Sequence, residues 1–239
     1  MQPSPVNASD TDLAQFQQWL NAGLLPMIQP SQQARSVKTA WHLLSAGAAM
    51  MHENNFDTLS VEDICAKAGT TVGGFYGRFQ NKDAFFLALQ KLVLLRSEES
   101  MNTLWRQPAY ETQSLQEVCM LLVASAVQRY RQHQGVFRTS LQRAHEGMWD
   151  AFKDIGDQTR ALLTAALATH LQHIPAEQRK LRVEFGHQAM ISVLCHAVQN
   201  APSPVHLSDD AMVHELTSML VAYLEQAPSV EIQRSDMDS

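Results

Sequence analysis

The chain has 239 residues, of which 45% are hydrophobic, so it is long enough for one or two domains with a sizeable core. Alanine and leucine together number 55 and isoleucine and valine only 22, a mixture that favours helices and excludes collagen-like, disulfide-rich, disordered and β-sandwich architectures. The net charge of −6 excludes a generally basic surface, although residues 31–106 carry eight bases against seven acids and leave room for a small nucleic-acid-binding patch.

The first 30 residues are predicted to be an N-terminal extension, and they carry two acidic residues and no base. Without a basic start and an apolar core the segment is not a secretory signal, and without Arg or Lys it is not a minor-groove DNA arm. Apolar spacing predicts a short helix over residues 10–22. We expect Phe16, Trp19 and Leu20 to dock on the protein itself or on a dimer partner.

Four further helices are predicted up to residue 105. The first runs from about residue 32 to residue 53, on the evidence of one apolar face. A short helix begins at the cap Ser60 and ends before Gly69, the residue expected at a left-handed C-terminal turn. Thr70 or Thr71 caps the next short helix, and Asn81 caps a long helix over residues 82–105.

The C-terminal half is predicted to form longer helices separated by proline-containing segments. They are predicted over residues 115–133, 136–145, 149–173, 176–199 and 209–226. The last two are apolar on more than one face, which predicts that they pair with their copies in a homodimer. The apolar runs are too short to span a membrane, and the three separated cysteines are expected to be buried thiols. We therefore expect a cytoplasmic protein with no membrane partner.

The segment from Val61 to Phe79 combines a helix, a turn at Gly69 and a second helix. This is the pattern of a helix-turn-helix motif, whose second helix enters the major groove of DNA. A pair of ordinary core helices with no partner is the alternative at this point.

The residues of this segment resemble the signature of TetR-family transcriptional regulators. The matching groups are Leu59-Ser60-Val61, Ala68-Gly69-Thr70-Thr71, Phe75-Tyr76-Gly77-Arg78-Phe79 and Lys82-Asp83-Ala84-Phe85. The resemblance covers residues 34–90, and it implies an all-α fold with an N-terminal three-helix DNA-binding domain and a C-terminal helical domain that binds a ligand and dimerises. We accordingly expect a DNA-binding domain over residues 31–90, an effector-binding and dimerisation domain over 91–226 and a disordered tail over 227–239.

The resemblance also implies which residues contact DNA. Tyr76 and Lys82 align with the phosphate contacts of the family, and Arg35 and Lys38 are candidates to replace an Arg that the family has near Ala40. The outward face of the recognition helix is predicted to hold Gly73, Gly74, Gly77 and Arg78. Base reading is then left to Arg78, Thr70 and Thr71.

The expected function is that of a regulator, and specifically of a repressor that binds a palindromic operator as a homodimer and is released by a small-molecule effector. No cofactor, metal or enzymatic activity is expected. Aromatic and methionine residues could line an effector pocket, and the candidates are Trp105, Phe137, Met148 and Trp149. Two alternatives remain at this stage: a metal-binding or enzymatic protein that uses the histidine-rich C-terminal half, and a DNA-binding protein of this fold without an effector.

Overall fold

The computed structural model describes residues 10–29, 34–105, 112–200 and 204–226, and every regular element in these ranges is helical. The α-helices are α1 (Asp10–Asn21), α2 (Ala34–Glu53), α3 (Val61–Ala68), α4 (Val72–Tyr76), α5 (Lys82–Trp105), α6 (Leu115–Gln132), α7 (Gln134–Gln142), α8 (Asp150–Ala166), α9 (Ala176–Gln199) and α10 (Asp210–Glu225). Single turns of 3-10 helix lie at Phe56–Thr58 and Ala144–Glu146. The all-α fold class is thereby confirmed. None of the described helices is long and apolar enough to cross a membrane. The predicted tail over residues 227–239 lies outside the described ranges.

Two helices end earlier than their sequence patterns indicate: α7, predicted to reach residue 145, ends at Gln142, and α8 ends well before residue 173. The prediction of a helix over residues 149–173 is wrong at its C-terminal end, because α8 stops at Ala166 and residues 167–174 form turns. Leu167, Leu171 and Ile174 are buried in these turns at the spacing expected of one face of a helix. The sequence pattern therefore cannot distinguish the turns from a continuing helix. The guanidinium of Arg179 donates to the carbonyl oxygens of Ala168 and Ile174, both at 3.2 Å, and so binds acceptors that a continuing helix would satisfy itself.

The packing divides the chain into two compact units. The first comprises residues 1–100 with 132–152, and the second comprises residues 101–131 with 153–239. Helix α7 and the turn at Ala144–Glu146 therefore pack with the N-terminal helices, although they lie far along the chain. Helix α5 contributes residues to both units.

The core of the first unit is aromatic. Phe75, Phe79 and Phe85 are fully buried, with ring centres 5.0 to 5.3 Å apart. Gly47 of α2 lies directly over this cluster, because a Cβ atom there would come within 2.5 Å of the Phe85 ring. The cluster holds the C-terminal end of the second short helix against α5 and α2, which compensates for the weak intrinsic helix preference of its glycines.

The N-terminal extension docks on this unit, as the sequence predicts for Phe16 and Trp19. The Phe16 ring is fully buried, with its centre 5.2 Å from that of Trp41 on α2. The guanidinium of Arg96 lies 5.0 Å from the centre of the Trp41 ring and forms an ion pair with Asp12 of α1 at 3.7 Å. Helix α1 is therefore attached by aromatic packing and by a bridge to α5.

Helix α7 packs on the C-terminal end of α2. The Arg138 guanidinium donates to the carbonyl oxygens of Met51 (3.0 Å) and Asn54 (3.1 Å), which the end of a helix leaves without internal partners. Just beyond α7, Arg143 forms an ion pair with Asp83 in the first turn of α5 at 2.9 Å. These contacts join α7 to two helices of the N-terminal segment.

The second unit contains α6, most of α8, α9 and α10. Val183, Met190, Leu194 and Val198 form the buried face of α9, and Met212, Leu216, Leu220 and Leu224 form that of α10. A Cβ atom on Gly186 would come within 2.7 Å of Leu220, so the two helices approach closely at this glycine. Arg182 donates to the carbonyl oxygens of Tyr223 (2.7 Å) and Gln226, and so closes the C-terminal end of α10.

Candidate DNA-binding site

The helix-turn-helix forms as its local signals predict. The backbone N–H of Asp63 donates to the Ser60 hydroxyl at 3.0 Å, which caps α3. Gly69 ends the helix with φ of 66°, in the left-handed region that favours glycine. The N–H of Thr70 then donates to the Cys65 carbonyl oxygen at 3.0 Å, so the turn is fixed by its own backbone.

The second short helix, α4, begins at a threonine cap. The choice between Thr70 and Thr71 is settled in favour of Thr71, whose hydroxyl accepts from the N–H of Gly74 at 3.1 Å. Phe75 is the buried residue of α4, and its ring contacts that of Tyr76 edge-on at 5.3 Å between centres. The Tyr76 side chain is 49% exposed, so it lies at the rim of the buried face.

The expected outward face of α4 is shorter than the sequence suggests. The helix ends at Tyr76, Gly77 is its C-terminal cap, and Arg78 lies beyond it. Placing Gly77 and Arg78 inside the helix was therefore wrong; they belong to the following turn, in which the N–H of Arg78 donates to the Phe75 carbonyl at 2.8 Å. Gly73 is exposed within the helix and Gly74 is half-buried.

The glycines differ in the space around them. A Cβ atom on Gly73 would meet nothing closer than the Thr71 hydroxyl at 3.8 Å. On Gly74 it would come within 2.5 Å of the Thr70 hydroxyl, and on Gly77 within 3.2 Å of the Gly73 carbonyl oxygen. Gly73 is therefore the position at which a methyl group fits the free protein and still changes the exposed surface.

Arg78 folds back on its own turn. Its Nη1 donates to the Gly77 carbonyl oxygen at 2.6 Å, and its Nε is buried without a hydrogen-bond partner among the described residues. The Arg78 carbonyl oxygen accepts from the N–H of Gln29, at the end of the N-terminal extension, at 2.8 Å. These backbone hydrogen bonds hold the main chain of Arg78 in place. In its guanidinium group, Nη1 has a hydrogen-bond acceptor and Nε has none among the described residues.

Lys82 is held at the start of α5. Its Nζ donates to the Asp57 carbonyl oxygen at 3.2 Å and lies 4.6 Å from the centre of the Phe56 ring. Burial lowers the pKa of Lys82, an effect that the charges of Asp57 and Asp83 oppose. The N–H of Ala84 donates to the Asn81 side chain at 2.7 Å, which confirms Asn81 as the cap of this helix.

The remaining DNA-binding candidates lie at the protein surface. Arg35 and Lys38 are exposed in the first turns of α2, Thr71 is exposed and Thr70 is half-buried. The bonds from Gln29 to Arg78 and from Lys82 to Asp57 were missed by the sequence analysis, and both join residues at least 25 positions apart. No periodic or capping signal indicates such pairs.

The candidate effector residues are only partly brought together. The rings of Phe137 and Trp149 lie 6.4 Å apart, and both contact Phe152, all within the first unit. The Met148 carbonyl oxygen accepts from the buried side chain of Gln90 at 2.5 Å. The side chain of Trp105 lies outside the described residues.

The histidine-rich C-terminal half gains no support as a metal site. Within the described ranges, no group of three or more His, Cys, Asp or Glu side chains is placed to hold a metal ion. His170 instead lies 2.9 Å from the Gln113 carbonyl oxygen. The three cysteines are free thiols; Cys65 and Cys119 are buried, as expected, whereas Cys195 is only half-buried.

The fold resembles solved structures of bacterial regulators. A TetR-family transcriptional regulator from Mesorhizobium loti matches with a TM-score of 0.59 at 16% identity, over 80% of this chain and 98% of that one. A transcriptional regulator from Cytophaga hutchinsonii matches with a TM-score of 0.56 at 11% identity, over 76% and 94%. A TetR-family regulator from Streptomyces coelicolor matches with a TM-score of 0.54 at 15% identity, over 77% and 80%.

Comparison at the level of sequence families gives the assignment. No significant match was found among curated proteins. The family of bacterial regulatory proteins, tetR family, matches residues 43–89, and the tetracyclin repressor-like C-terminal domain matches residues 114–224. These two matches together cover more than half of the sequence and include the helix-turn-helix, and the chain therefore belongs to the TetR family of transcriptional regulators.

Proposed function

We propose that the protein is a cytoplasmic repressor that binds a palindromic operator as a homodimer and is released from it by a small-molecule effector. The observation that carries the DNA-binding part is the exposed surface of the capped helix-turn-helix. There Gly73 presents bare backbone beside the exposed Tyr76, so this surface can approach a groove closely.

The residues that would contact DNA fall into two groups. Tyr76, Lys82, Arg35 and Lys38 would bind phosphates, since they carry donors at the surface or at a helix N-terminus. Arg78, Thr70 and Thr71 would face the bases, with Gly73, Gly74 and Gly77 allowing close approach. To reach a guanine, the Arg78 guanidinium has to give up its hydrogen bond to the Gly77 carbonyl oxygen. Its buried Nε has no hydrogen-bond partner among the described residues, so no further hydrogen bond of Nε is lost in this movement.

Homodimerisation is supported by one face of α9. Leu181 (41% exposed) and Phe185 (52% exposed) lie one turn apart on the same face of that helix, and Val193 two turns further along is exposed as well. Met219 of α10 is exposed as well, and the Phe185 ring lies 5.5 Å from that of Tyr223 on α10. Large apolar side chains grouped on neighbouring helices are the composition of a subunit interface.

Release by an effector would act through residues 91–226. Helix α5 supports this, because it begins at the DNA-binding segment and carries Met101 in its C-terminal part, where the Met101 sulfur accepts from the Thr159 hydroxyl of α8 at 3.2 Å. Phe137, Met148 and Trp149 are the proposed apolar contacts of the effector. Effector and operator must then weaken each other's binding by the same factor.

Selection of bound DNA from a random pool, using the full chain, tests the proposal. We expect an enriched near-palindrome with half-sites about 34–36 Å apart, the spacing that two recognition helices of a dimer require. An Arg78→Ala variant run in parallel should enrich the same spacing with relaxed base preference. Failure to enrich any sequence at low salt would reject the operator-binding function.

A further inference from the structure

The N-terminal extension leaves α1 along a path that its own backbone fixes. Gly23, with φ of 70°, lies just beyond the helix, and its N–H donates to the Leu20 carbonyl oxygen at 3.0 Å. The N–H of Leu24 donates to the Trp19 carbonyl oxygen, also at 3.0 Å. This pair of hydrogen bonds is a Schellman motif, which satisfies the last carbonyl groups of a helix and sets the direction in which the chain leaves it.

The chain then returns to the core and reaches the turn after α4. Leu25 and Ile28 are buried, with 2% and 5% of their surfaces exposed, and the N–H of Ile28 donates to the Leu25 carbonyl oxygen at 3.1 Å. The next residue, Gln29, is exposed, but its N–H donates to the Arg78 carbonyl oxygen at 2.8 Å. The two buried side chains thus hold the backbone of Gln29 against this turn.

Arg78 is held on both sides by this arrangement. Its N–H donates to the Phe75 carbonyl oxygen at 2.8 Å, so the end of α4 fixes one of its peptide groups. Its carbonyl oxygen accepts from Gln29, so the extension fixes the other. Because peptide groups are planar, fixing both of them also fixes the direction in which the Arg78 side chain leaves the backbone.

The extension that supplies this donor is itself anchored on two helices. The Phe16 ring packs on Trp41 of α2, and Asp12 forms its ion pair with Arg96 of α5. All of these residues belong to the first compact unit, as Arg78 does. The position of the donor is therefore set by packing and charge, and does not depend on the hydrogen bond to Arg78 alone.

The extension lacks the charges with which proteins bind DNA phosphates. Residues 1–30 contain two acidic residues and no lysine or arginine. We therefore expect this segment to act on DNA binding through the residues on which it docks. A role in stability alone would need the buried side chains of the extension, but not a hydrogen bond to the residue proposed to face the bases.

We propose that the N-terminal extension positions Arg78 for base reading, through the hydrogen bond that the Gln29 N–H donates to the Arg78 carbonyl oxygen. An arginine recognises guanine when two of its N–H groups meet two acceptors at once, so the contact depends on where the side chain starts. Gln29 is a positioning residue in this arrangement and touches no base. The inference rests on the operator binding proposed above and names a residue that sets its specificity.

A proline at position 29 removes the N–H and leaves the carbonyl group in place. In the full-length protein, Gln29→Pro should lower the ratio of the affinities for the selected operator and for an unrelated duplex by about fivefold or more. The affinity for the unrelated duplex and its salt dependence should stay unchanged, because no phosphate contact is lost. Gln29→Ala keeps the N–H and is the matched control, so it should retain the wild-type ratio.

A double-mutant cycle separates this role from a loss of stability. In an Arg78→Ala background the side chain that Gln29 positions is absent, so Gln29→Pro should have no further effect on the ratio. A role in stability alone predicts the same loss in both backgrounds. Equal losses therefore overturn the inference, and so does a folded Gln29→Pro variant that keeps the wild-type ratio.

Ile28→Ala decides the question if thermal unfolding shows that the proline variant does not fold. It keeps the Gln29 N–H and removes the buried side chain beside it, so it should lower the ratio in the wild-type background and not in the Arg78→Ala background. A wild-type protein that binds operator and unrelated DNA equally rejects the proposed function together with this inference. A wild-type preference that the Gln29→Pro or, in its place, the Ile28→Ala variant retains in full rejects this inference alone.

Discussion

Gly135 packs directly against the backbone of Met51. A Cβ atom on Gly135 would lie 2.5 Å from the Met51 carbonyl carbon and closer still to its oxygen. The same carbonyl accepts a hydrogen bond from Arg138, one turn later on α7. Helix α7 therefore meets the end of α2 at a distance that only glycine permits, and it supplies the donor that this end needs.

Gly135→Ala should lower the free energy of unfolding by about 2–3 kcal/mol, because a methyl group forces backbone atoms apart in a packed contact. Urea denaturation measures this change. Gly156→Ala on α8 is the matched control, since the nearest atom to its added methyl is the flexible end of Arg160 at 3.4 Å. Equal stability of the two variants would contradict the close contact at Met51.

Gly73→Ala should change stability and DNA affinity in opposite directions. Alanine inside a helix is favoured over glycine by about 0.5–1 kcal/mol, and the free protein has room for the methyl group at this position. The same methyl group should weaken operator binding at least tenfold by keeping the helix from the groove. Thermal unfolding and an operator titration give the two values. An unchanged DNA affinity would mean that this face does not meet DNA.

Lys82→Ala should weaken binding to all DNA sequences to a similar extent. It removes one phosphate contact and no base contact, so the slope of log affinity against log salt should fall by about one unit. Titrations of an operator and of an unrelated duplex at several salt concentrations measure this. Lys180→Ala removes an equal charge from the second unit and should leave the slope unchanged. A loss confined to the operator would show that Lys82 reads sequence.

Stability should fall as the pH is lowered from about 6.5 to 4. The folded-state pKa of His187 is about 4, below its ordinary value of 6.5, so the unfolded chain binds this proton more readily. The penalty is absent above pH 6.5, grows as the pH falls and reaches at most roughly 3 kcal/mol below pH 4. Urea denaturation across this range should show a smaller slope for His187→Gln than for the wild type. The exposed His145→Gln should follow the wild type.

Phe185→Glu should convert the dimer into a monomer. The exposed ring would lie at the centre of the proposed α9 interface, where a buried charge without a partner opposes association. Sedimentation at micromolar concentration measures the change, and Glu184→Gln is the neighbouring control. If the wild-type protein itself sediments as a monomer, the proposed homodimer is contradicted without any variant.

Local signals account for what the sequence predicted well. Ser60, Gly69 and Asn81 act on backbone groups within a few residues, so their roles are visible in the sequence alone, and the sequence limits the cap of α4 to Thr70 or Thr71. The early end of α8 was not predictable in this way, because Arg179, whose side chain binds the carbonyl groups of Ala168 and Ile174 in the turns after α8, lies beyond Pro175 in the sequence.

Long-range contacts account for what was missed. The sequence around Gly135 predicts an ordinary helix start, and only the structure shows that Gly135 packs against Met51. Met51 lies on another helix, and no periodic pattern in the sequence relates two residues so far apart. The candidate DNA-binding residues were suggested by resemblance, whereas the contact between α2 and α7 is visible only in the packed structure.

The first compact unit is discontinuous in sequence, since residues 132–152 complete it from a distance. A chimeric regulator could take its helix-turn-helix from this chain and its ligand domain from another family member, with the cut at the predicted domain boundary. A cut after residue 90 of this chain would leave α2 facing an α7 from a different parent, without the Gly135 and Arg138 that match its end. Residues 132–152 should therefore be exchanged together with the N-terminal segment.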